Sequence, residues 1–398
     1  MKISFFAFLF FSAILTSISS AAQSDSTIFK DSVKKNYQIA VFSPLYLDSA
    51  FDSQMNYRYG ANFPKFIIPG LEFYSGIQLA IDTLQKEGIT LDIHVYDTRS
   101  ANESVTKVIQ TPAFKTADMI IGHVTAVEAR QLANIAQQQS IPFINANYPN
   151  DAGVENNPNF VVLNSTLLTH CEALYKYLQK HHSLSSITYF TKKGNAEQSL
   201  KRYFDTIAKN TSSVPLKIKF VTLNPGFNER EIAKHLDSTQ TNVSIGGSLD
   251  MKFALELSHK IAVLNETYPS ILFGMPTWDA ADFTKPEYKN LEIYYGTPFY
   301  IDETNKLAET VHQYFKSNFY ARPSDMVFRG YETLYHFAHL LIAHGTNISS
   351  SLSDKRHKIF TDFDIQPVLN PKTMTLDYFE NKKIYFVKTV DGIVKGSY

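Results

Sequence analysis

The sequence predicts an α/β protein built from two similar lobes of parallel sheet, and three observations predict it. Short continuous apolar runs alternate with segments whose apolar residues recur at helical spacing. That rhythm begins near Ile39 and restarts near Asn164. The chain, at 398 residues, is long enough for two units that each bury a core.

The first segment reads as a targeting signal. Lys2 supplies a positive charge, Phe5 to Ile18 is apolar, and Ser19-Ser20-Ala21-Ala22 offers small residues for cleavage. The apolar stretch falls short of the roughly 20 residues a spanning helix needs. Residues 1–22 are therefore expected to be a signal peptide and residues 23–36 a polar, flexible leader. No second apolar stretch of spanning length follows, and no cysteine follows the signal to take a lipid. The expected location is the periplasm, with no membrane span after signal cleavage.

The first lobe opens with the strand Ile39-Ala40-Val41-Phe42, apolar at every position and so expected to be buried on both faces. A loop rich in Asp, Asn and Tyr runs to about Pro69. Phe73, Ile77, Ala80, Ile81 and Leu84 then mark a helix that ends near Gly88. Strands follow at Leu91 to Val95, Met119 to Ile121 and Ile141 to Ile144, with a helix from Ala126 to Gln138.

The second lobe opens with the helix Leu167, Leu168, Cys171, Leu174, Tyr175, Leu178 and the strand Ile187 to Phe190. Helices around Leu200, near Ile232 and from Ala254 to Leu264 alternate with strands at Leu216 to Phe220, Val243 to Ile245 and Ile271 to Phe273. Leu291 to Pro298 reads as a strand or crossing segment. Two more helices follow, at Leu307 to Phe315 and at Val327 to Leu341, the latter capped by Gly345. Met374 to Val394 alternates in strand fashion around two turn signals, Glu380-Asn381 and Asp391-Gly392. A chain that crosses between lobes more than once makes a hinged clam. Residues 37–163 and 297–345 are assigned to lobe 1, and 164–296 and 346–398 to lobe 2.

Composition narrows the function. Lys+Arg and Asp+Glu number 38 each, and no run of five like charges occurs, so nucleic acid and a polybasic membrane patch are not expected. The single cysteine, Cys171, excludes an internal disulfide and falls on an apolar helical stripe, as a core residue would. Nucleophile-elbow, phosphate-loop and His-Glu-x-x-His motifs are missing. Gly246-Gly247-Ser248 lacks the last glycine of a dinucleotide fingerprint, and His336, His339 and His344 share a helix without a further ligand. No enzyme, cofactor or metal is expected.

Open α/β sheets bind ligands beyond the carboxyl ends of their strands. Gly122, His123 and Thr125 lie there, with Thr125 and Glu128 spaced as a capping box before a helix whose first N–H groups attract anions. Asn145 and Asn147 follow the next strand, where turn-making and ligand contact both remain open. The matching rim of the second lobe carries Ser248, Asp250 and Trp278. The lone tryptophan fits stacking on a ligand and packing at the hinge alike.

These residues resemble a known family. The carrying segments are Phe73 to Asp82, Val95-Tyr96-Asp97-Thr98, Asp118 to Gly122, Pro323-Ser324-Asp325 and Phe328-Arg329-Gly330-Tyr331-Glu332, spread over nearly the whole expected mature chain. In their order and spacing they are similar to type I periplasmic binding proteins, which include the branched-chain amino-acid receptors of ABC importers. The nearest likeness is to the receptor-type domain of Bacteroidetes envelope proteins that often carry LysM modules. No LysM module accompanies it here, so peptidoglycan anchoring is not implied. The resemblance implies two Rossmann-like lobes with parallel sheets joined by a hinge. It also implies capture of a small amino-acid-like or peptide-like ligand in the cleft for an ABC permease. It places the ligand carboxylate at Gly122, His123 and Thr125, neighbouring contacts at Asn145 and Asn147, and the amino group at Asp250, one position off the family's acidic residue. His123, Asn145 and Asn147 stand where small residues are usual. The alternative function is an envelope interaction protein that uses the same fold to bind a cell-wall synthase or a sensory partner.

Overall fold

The computed structural model describes residues 36–60, 63–302 and 304–397. The expected signal peptide and nearly all of the leader lie outside the described residues.

The first part of the chain alternates strands with one or two helices, apart from the consecutive pair β4 and β5. It runs β1 (Tyr37–Ser43), α1 (Leu47–Ala50), α2 (Ile68–Lys86), β2 (Leu91–Asp97), α3 (Val105–Val108), α4 (Pro112–Lys115), β3 (Met119–Gly122), α5 (Ala126–Gln139), β4 (Phe143–Asn145) and β5 (Phe160–Val162). The rhythm resumes with α6 (Leu167–His182), β6 (Ser186–Thr191), α7 (Asn195–Asn210), β7 (Lys217–Thr222), α8 (Glu229–Ala233), β8 (Asn242–Gly246), α9 (Met251–Leu264), β9 (Ser270–Phe273) and β10 (Glu292–Thr297). The chain ends with α10 (Lys306–Phe319), α11 (Asp325–His344), β11 (Ile365–Leu369), β12 (Leu376–Asn381), β13 (Tyr385–Val390) and β14 (Ile393–Ser397).

Two seven-stranded sheets result, one of order β11-β12-β5-β4-β3-β1-β2 and one of order β14-β13-β10-β9-β8-β6-β7. All pairings are parallel except β11 with β12, β10 with β13, and β13 with β14. This is the expected α/β class with two lobes. In each sheet the order reverses beside its first strand, between β1 and β3 and between β6 and β8, the kind of switch point beyond whose carboxyl ends open α/β sheets bind ligands. Apolar runs such as Ile39 to Phe42 are fully buried because helices cover both faces of a parallel sheet.

The assignment of residues 346–398 to lobe 2 needs correction. Strands β11 and β12 join the first sheet, where β12 pairs in parallel with β5. Glu380-Asn381 is therefore no hairpin turn but the point where the chain leaves one sheet for the other. A turn and a crossing both break a strand, and local pattern does not tell them apart. Asp391 and Gly392 do form a tight turn, with φ of 51° and 73°, between β13 and β14.

Three connections link the sheets: Leu163 to Thr166 into α6, the segment after Thr297 into α10, and Asn381 to Ile384 into β13. Each leaves from the carboxyl end of a parallel strand, and Tyr385 pairs with Thr297 at the end of β10. The two sheets thus meet through the edges where open α/β sheets bind ligands.

Helix α11 positions the site. Ser324 caps it by accepting from the Met326 N–H at 3.2 Å, and Gly345 ends it at φ 63°. It crosses α2 where Gly76 lies against the Val327 carbonyl and Gly330 against the Phe73 carbonyl, so close that a Cβ at either glycine would collide with backbone. That contact fixes the residue beside Gly330, which is Arg329.

Candidate functional site

Arg329 is nine-tenths buried although it carries a full charge. Its guanidinium carbon lies 3.8 Å from the centre of the Phe299 ring, and Nη1 donates to the Asn147 side-chain oxygen at 3.1 Å. Its Nε has no hydrogen-bond partner. Among the described residues no carboxylate lies within ion-pair distance of it. Asp325, Asp279 and Glu332 act on it only through space, and burial depresses its pKa against their pull. A buried cation left so lightly paired is costly unless something else completes it.

His123 stands nearby. It is buried, its N–H donates to the Phe42 carbonyl at 2.9 Å, and its ring meets the edge of Phe73 at 5.5 Å. Its Nδ1 is likewise unpartnered. Burial first, then Arg329 and Arg99, push its pKa down to about 4, so the ring is neutral at neutral pH.

The other lobe contributes Asp279 and Tyr295. Asp279 lies in the helical turn Pro276–Ala280 after β9, and Tyr295 lies in β10. Asp279 is accessible to solvent, yet surrounding protein raises its carboxyl, Arg329 lowers it and Asp325 raises it further. Accessibility combined with desolvation is what a concave wall produces. Burial, Asp279 and Asp325 push the Tyr295 hydroxyl up to about 12.

The expected site residues divide into two groups. His123 and Asn147 lie at Arg329. The rest bond or pack within their own lobes. Gly122 is buried at the end of β3, where a side chain would crowd Phe143 and Val124. The Thr125 N–H and hydroxyl both donate to Glu128, at 2.8 and 2.9 Å, and Glu128 also accepts from Arg99 at 2.6 Å. The Asn145 amide closes the following loop, donating to the Tyr148 carbonyl at 2.8 Å and accepting its N–H at 3.0 Å.

In the second lobe Ser248 is fully buried and donates to Glu197 at 2.6 Å. Asp250 caps α9 by accepting from the Lys252 and Phe253 N–H groups at 2.8 and 3.2 Å, and it also holds Lys192. Those donors keep its carboxyl below the usual range. Trp278 is fully buried, packed over Gly246 and Gly274 with Phe283 at 5.8 Å, and its Nε1 donates to the Ser248 carbonyl at 3.3 Å. Of the two roles left open for it, stacking on a ligand and packing, the structure has it packed within its own lobe. An indole that fills the space above two glycines buries more apolar surface than one left at a rim.

Sequence reasoning quoted Arg329 but gave it no role. Its signal was a lone cation on a helix whose neighbouring positions, Val327, Phe328 and Tyr331, are core residues. Among the described residues no cluster of three or more His, Cys, Asp and Glu is placed to hold a metal, and no helix is long and apolar enough to cross a membrane.

Two largely parallel sheets joined by three crossings at the carboxyl ends of their strands define a two-lobed α/β protein. Residues 68–355 match the family model described as Periplasmic binding protein, and the chain belongs to that family. A search of curated proteins gives no match. The fold is shared with an ABC transporter substrate-binding protein from Desulfitobacterium hafniense, at 14% identity and TM-score 0.57, covering 91% of this chain and 100% of that one. A branched-chain amino acid ABC transporter periplasmic ligand-binding protein from Burkholderia xenovorans is similar at 11% identity and TM-score 0.61, with 91% and 94% covered. LpoA from Haemophilus influenzae is similar at 13% identity and TM-score 0.55, and 90% of this chain covers 58% of that one.

Proposed function

We propose that this chain is an exported solute-binding protein, without catalytic activity, that captures a small ligand between its lobes for an ABC-type importer. The observation that carries the reading is the topology: all three crossings leave from the carboxyl ends of parallel strands, with the buried Arg329 of α11 on one lobe and the exposed Asp279 after β9 on the other. A ligand that contacts both would favour the closed arrangement by its differential affinity for it. Membership of the binding-protein family and the substrate-binding proteins among the structural neighbours support it.

The test is small-angle scattering on the purified protein, with and without a small-molecule extract of the envelope. Closure lowers the radius of gyration, and the bound species is then identified by mass spectrometry after denaturation. A protein whose dimensions and melting temperature never respond would end this reading.

The second reading, an envelope interaction protein, is favoured by Leu47, Met55, Tyr59, Phe63 and Phe66, all large, apolar and exposed, and by the fold shared with LpoA. It predicts retention of an envelope protein on immobilised chain, lost when Phe63 and Phe66 become serine.

A further inference from the structure

The second sheet carries a cavity at the strand ends opposite the crossings. Its volume is about 500 Å³, and its walls are the amino ends of β6 and β7 and the loop from α8 to β8. That size is ordinary for a small-molecule site. The local sequence explains why the space is open. Lys217, Lys219 and Val221 share one face of β7, the edge strand of its sheet. Val221 is buried in the same core as Ile232 of α8. A helix of five residues is only about 7.5 Å long, too short to cover that whole face, and the two lysines stay exposed.

Positive charge collects there. Lys217, Lys219 and Lys234 all line the cavity, and among the described residues none of the three has an ion-pair partner. The carboxylate on the same wall, Asp237, is turned onto its own loop. It accepts the Thr239 N–H and hydroxyl at 2.8 and 2.7 Å and the Gln240 amide at 3.0 Å. His235 lines the cavity too, and burial, followed by Lys219 and Lys234, lowers its pKa, so its ring is neutral at neutral pH. Hydrogen-bonding capacity also lies unused on this face. Lys219, Thr188 and Ser244 stand in register across β7, β6 and β8, and the Ser244 hydroxyl and His235 Nδ1 are buried without partners.

We infer that this cavity binds a phosphate monoester of a polar small molecule, with its phosphate held by Lys217, Lys219 and Lys234. Lysine serves phosphate as a point charge, where a carboxylate is better matched by the fork of an arginine. A monoester carries close to two negative charges at neutral pH, which suits several unpaired ammonium groups better than one carboxylate does. A bare phosphate would fill little of the space, and the Ser186 and Thr241 hydroxyls on the walls suit a hydroxylated remainder such as a sugar. The site does not depend on the interlobe space, which adjoins the other ends of the strands.

The experiment titrates the purified protein by calorimetry, in about 150 mM salt to screen diffuse attraction, with glucose 6-phosphate, glycerol 3-phosphate, inorganic phosphate and glucose. Both esters are expected to bind, glucose 6-phosphate more tightly than inorganic phosphate, and glucose not at all. Lys219→Gln and Lys234→Gln should each weaken binding about tenfold, the scale of one charge-assisted hydrogen bond. Exposed lysines contribute little to folding, so unliganded melting temperatures should stay near that of wild type. The double variant Lys86→Gln/Lys115→Gln, which removes two exposed charges from the first lobe, should bind as wild type does. In histidine NMR spectra, with His235 assigned through His235→Gln, saturating glucose 6-phosphate should raise the His235 pKa, because a nearby dianion favours the imidazolium.

Failure of every phosphate compound to bind overturns the inference. Inorganic phosphate binding as tightly as both esters reduces the site to an adventitious ion only, which also overturns it. Equal weakening in the first-lobe variant makes the attraction diffuse, and an unmoved His235 places the ligand elsewhere; either result overturns it. None of these outcomes bears on lobe closure by the envelope extract.

Discussion

Glu380 of β12 accepts the Thr169 hydroxyl of α6 at 2.7 Å, a bond between the last strand of one lobe's parallel run and the first helix of the other. The same carboxylate takes the Thr166 N–H and hydroxyl, at 2.7 and 2.8 Å, and the Lys382 ammonium at 2.6 Å. It sits at the N-terminus of α6, where backbone N–H groups favour a negative charge. Two of the three crossings are therefore tied together by one buried residue.

Breaking this node should cost stability sharply. Glu380→Ala leaves four donors without their acceptor and is expected to lose about 3 kcal/mol, the scale for removing one partner of a buried charged network. Urea unfolding followed by circular dichroism measures it. A loss below about 1 kcal/mol would mean that water replaces the carboxylate.

Thr125 should behave as a cap. Thr125→Ala is expected to cost about 1 kcal/mol in chemical unfolding, and to leave ligand affinity within about twofold of wild type. An affinity collapse without loss of stability would return the expected ligand contact to the turn.

Trp278 should behave as core. Trp278→Ala is expected to lose about 3–5 kcal/mol by opening a cavity, and Gly274→Ala about 1–3 kcal/mol because its methyl group would land on the indole. Tryptophan fluorescence supplies an independent readout. The emission of native wild type should be blue and should not move on adding ligand.

Glu332 should make stability depend on pH. It is fully enclosed in α11, its two oxygens accept the Thr361 N–H at 2.9 Å and hydroxyl at 3.0 Å, and burial pushes its carboxyl up to about 8. A carboxyl raised in the folded state keeps its proton while the unfolded chain has lost it. Its contribution is complete below about 4.5, the ordinary glutamate value, and declines as pH rises through about 8. Glu332→Gln can keep both contacts if its amide donates to the Thr361 hydroxyl, and should flatten that decline. Melting temperatures of both proteins from pH 4.5 to 9 decide it; parallel curves would contradict the assignment.

Cys171 should be inert. Burial pushes its thiol up to about 12, so iodoacetamide at neutral pH should label it only after denaturant is added.

The class and the two-lobed build were legible because parallel strands covered on both faces are apolar at nearly every position. Ile39 to Phe42 and Ile271 to Phe273 carry that signal in the chain itself. The capping box at Thr125 and Glu128 and the turn at Asp391-Gly392 were legible for the same reason, since each is made by residues a few positions apart.

The sequence by itself determined the βα rhythm and most of its elements, and the core position of Cys171. Only the tertiary structure decided which strand ends were already occupied. Asn145 turned inward to Tyr148, Ser248 to Glu197 and Trp278 over two glycines, while Arg329, quoted but unassigned in the sequence, came to lie beside His123 and opposite Asp279. It also decided that β12 stays in the first sheet. A polar side chain's role depends on which partner reaches it first, and such partners lie 182 positions apart for Asn147 and Arg329 and 214 for Thr166 and Glu380. Local spacing carries no record of that distance.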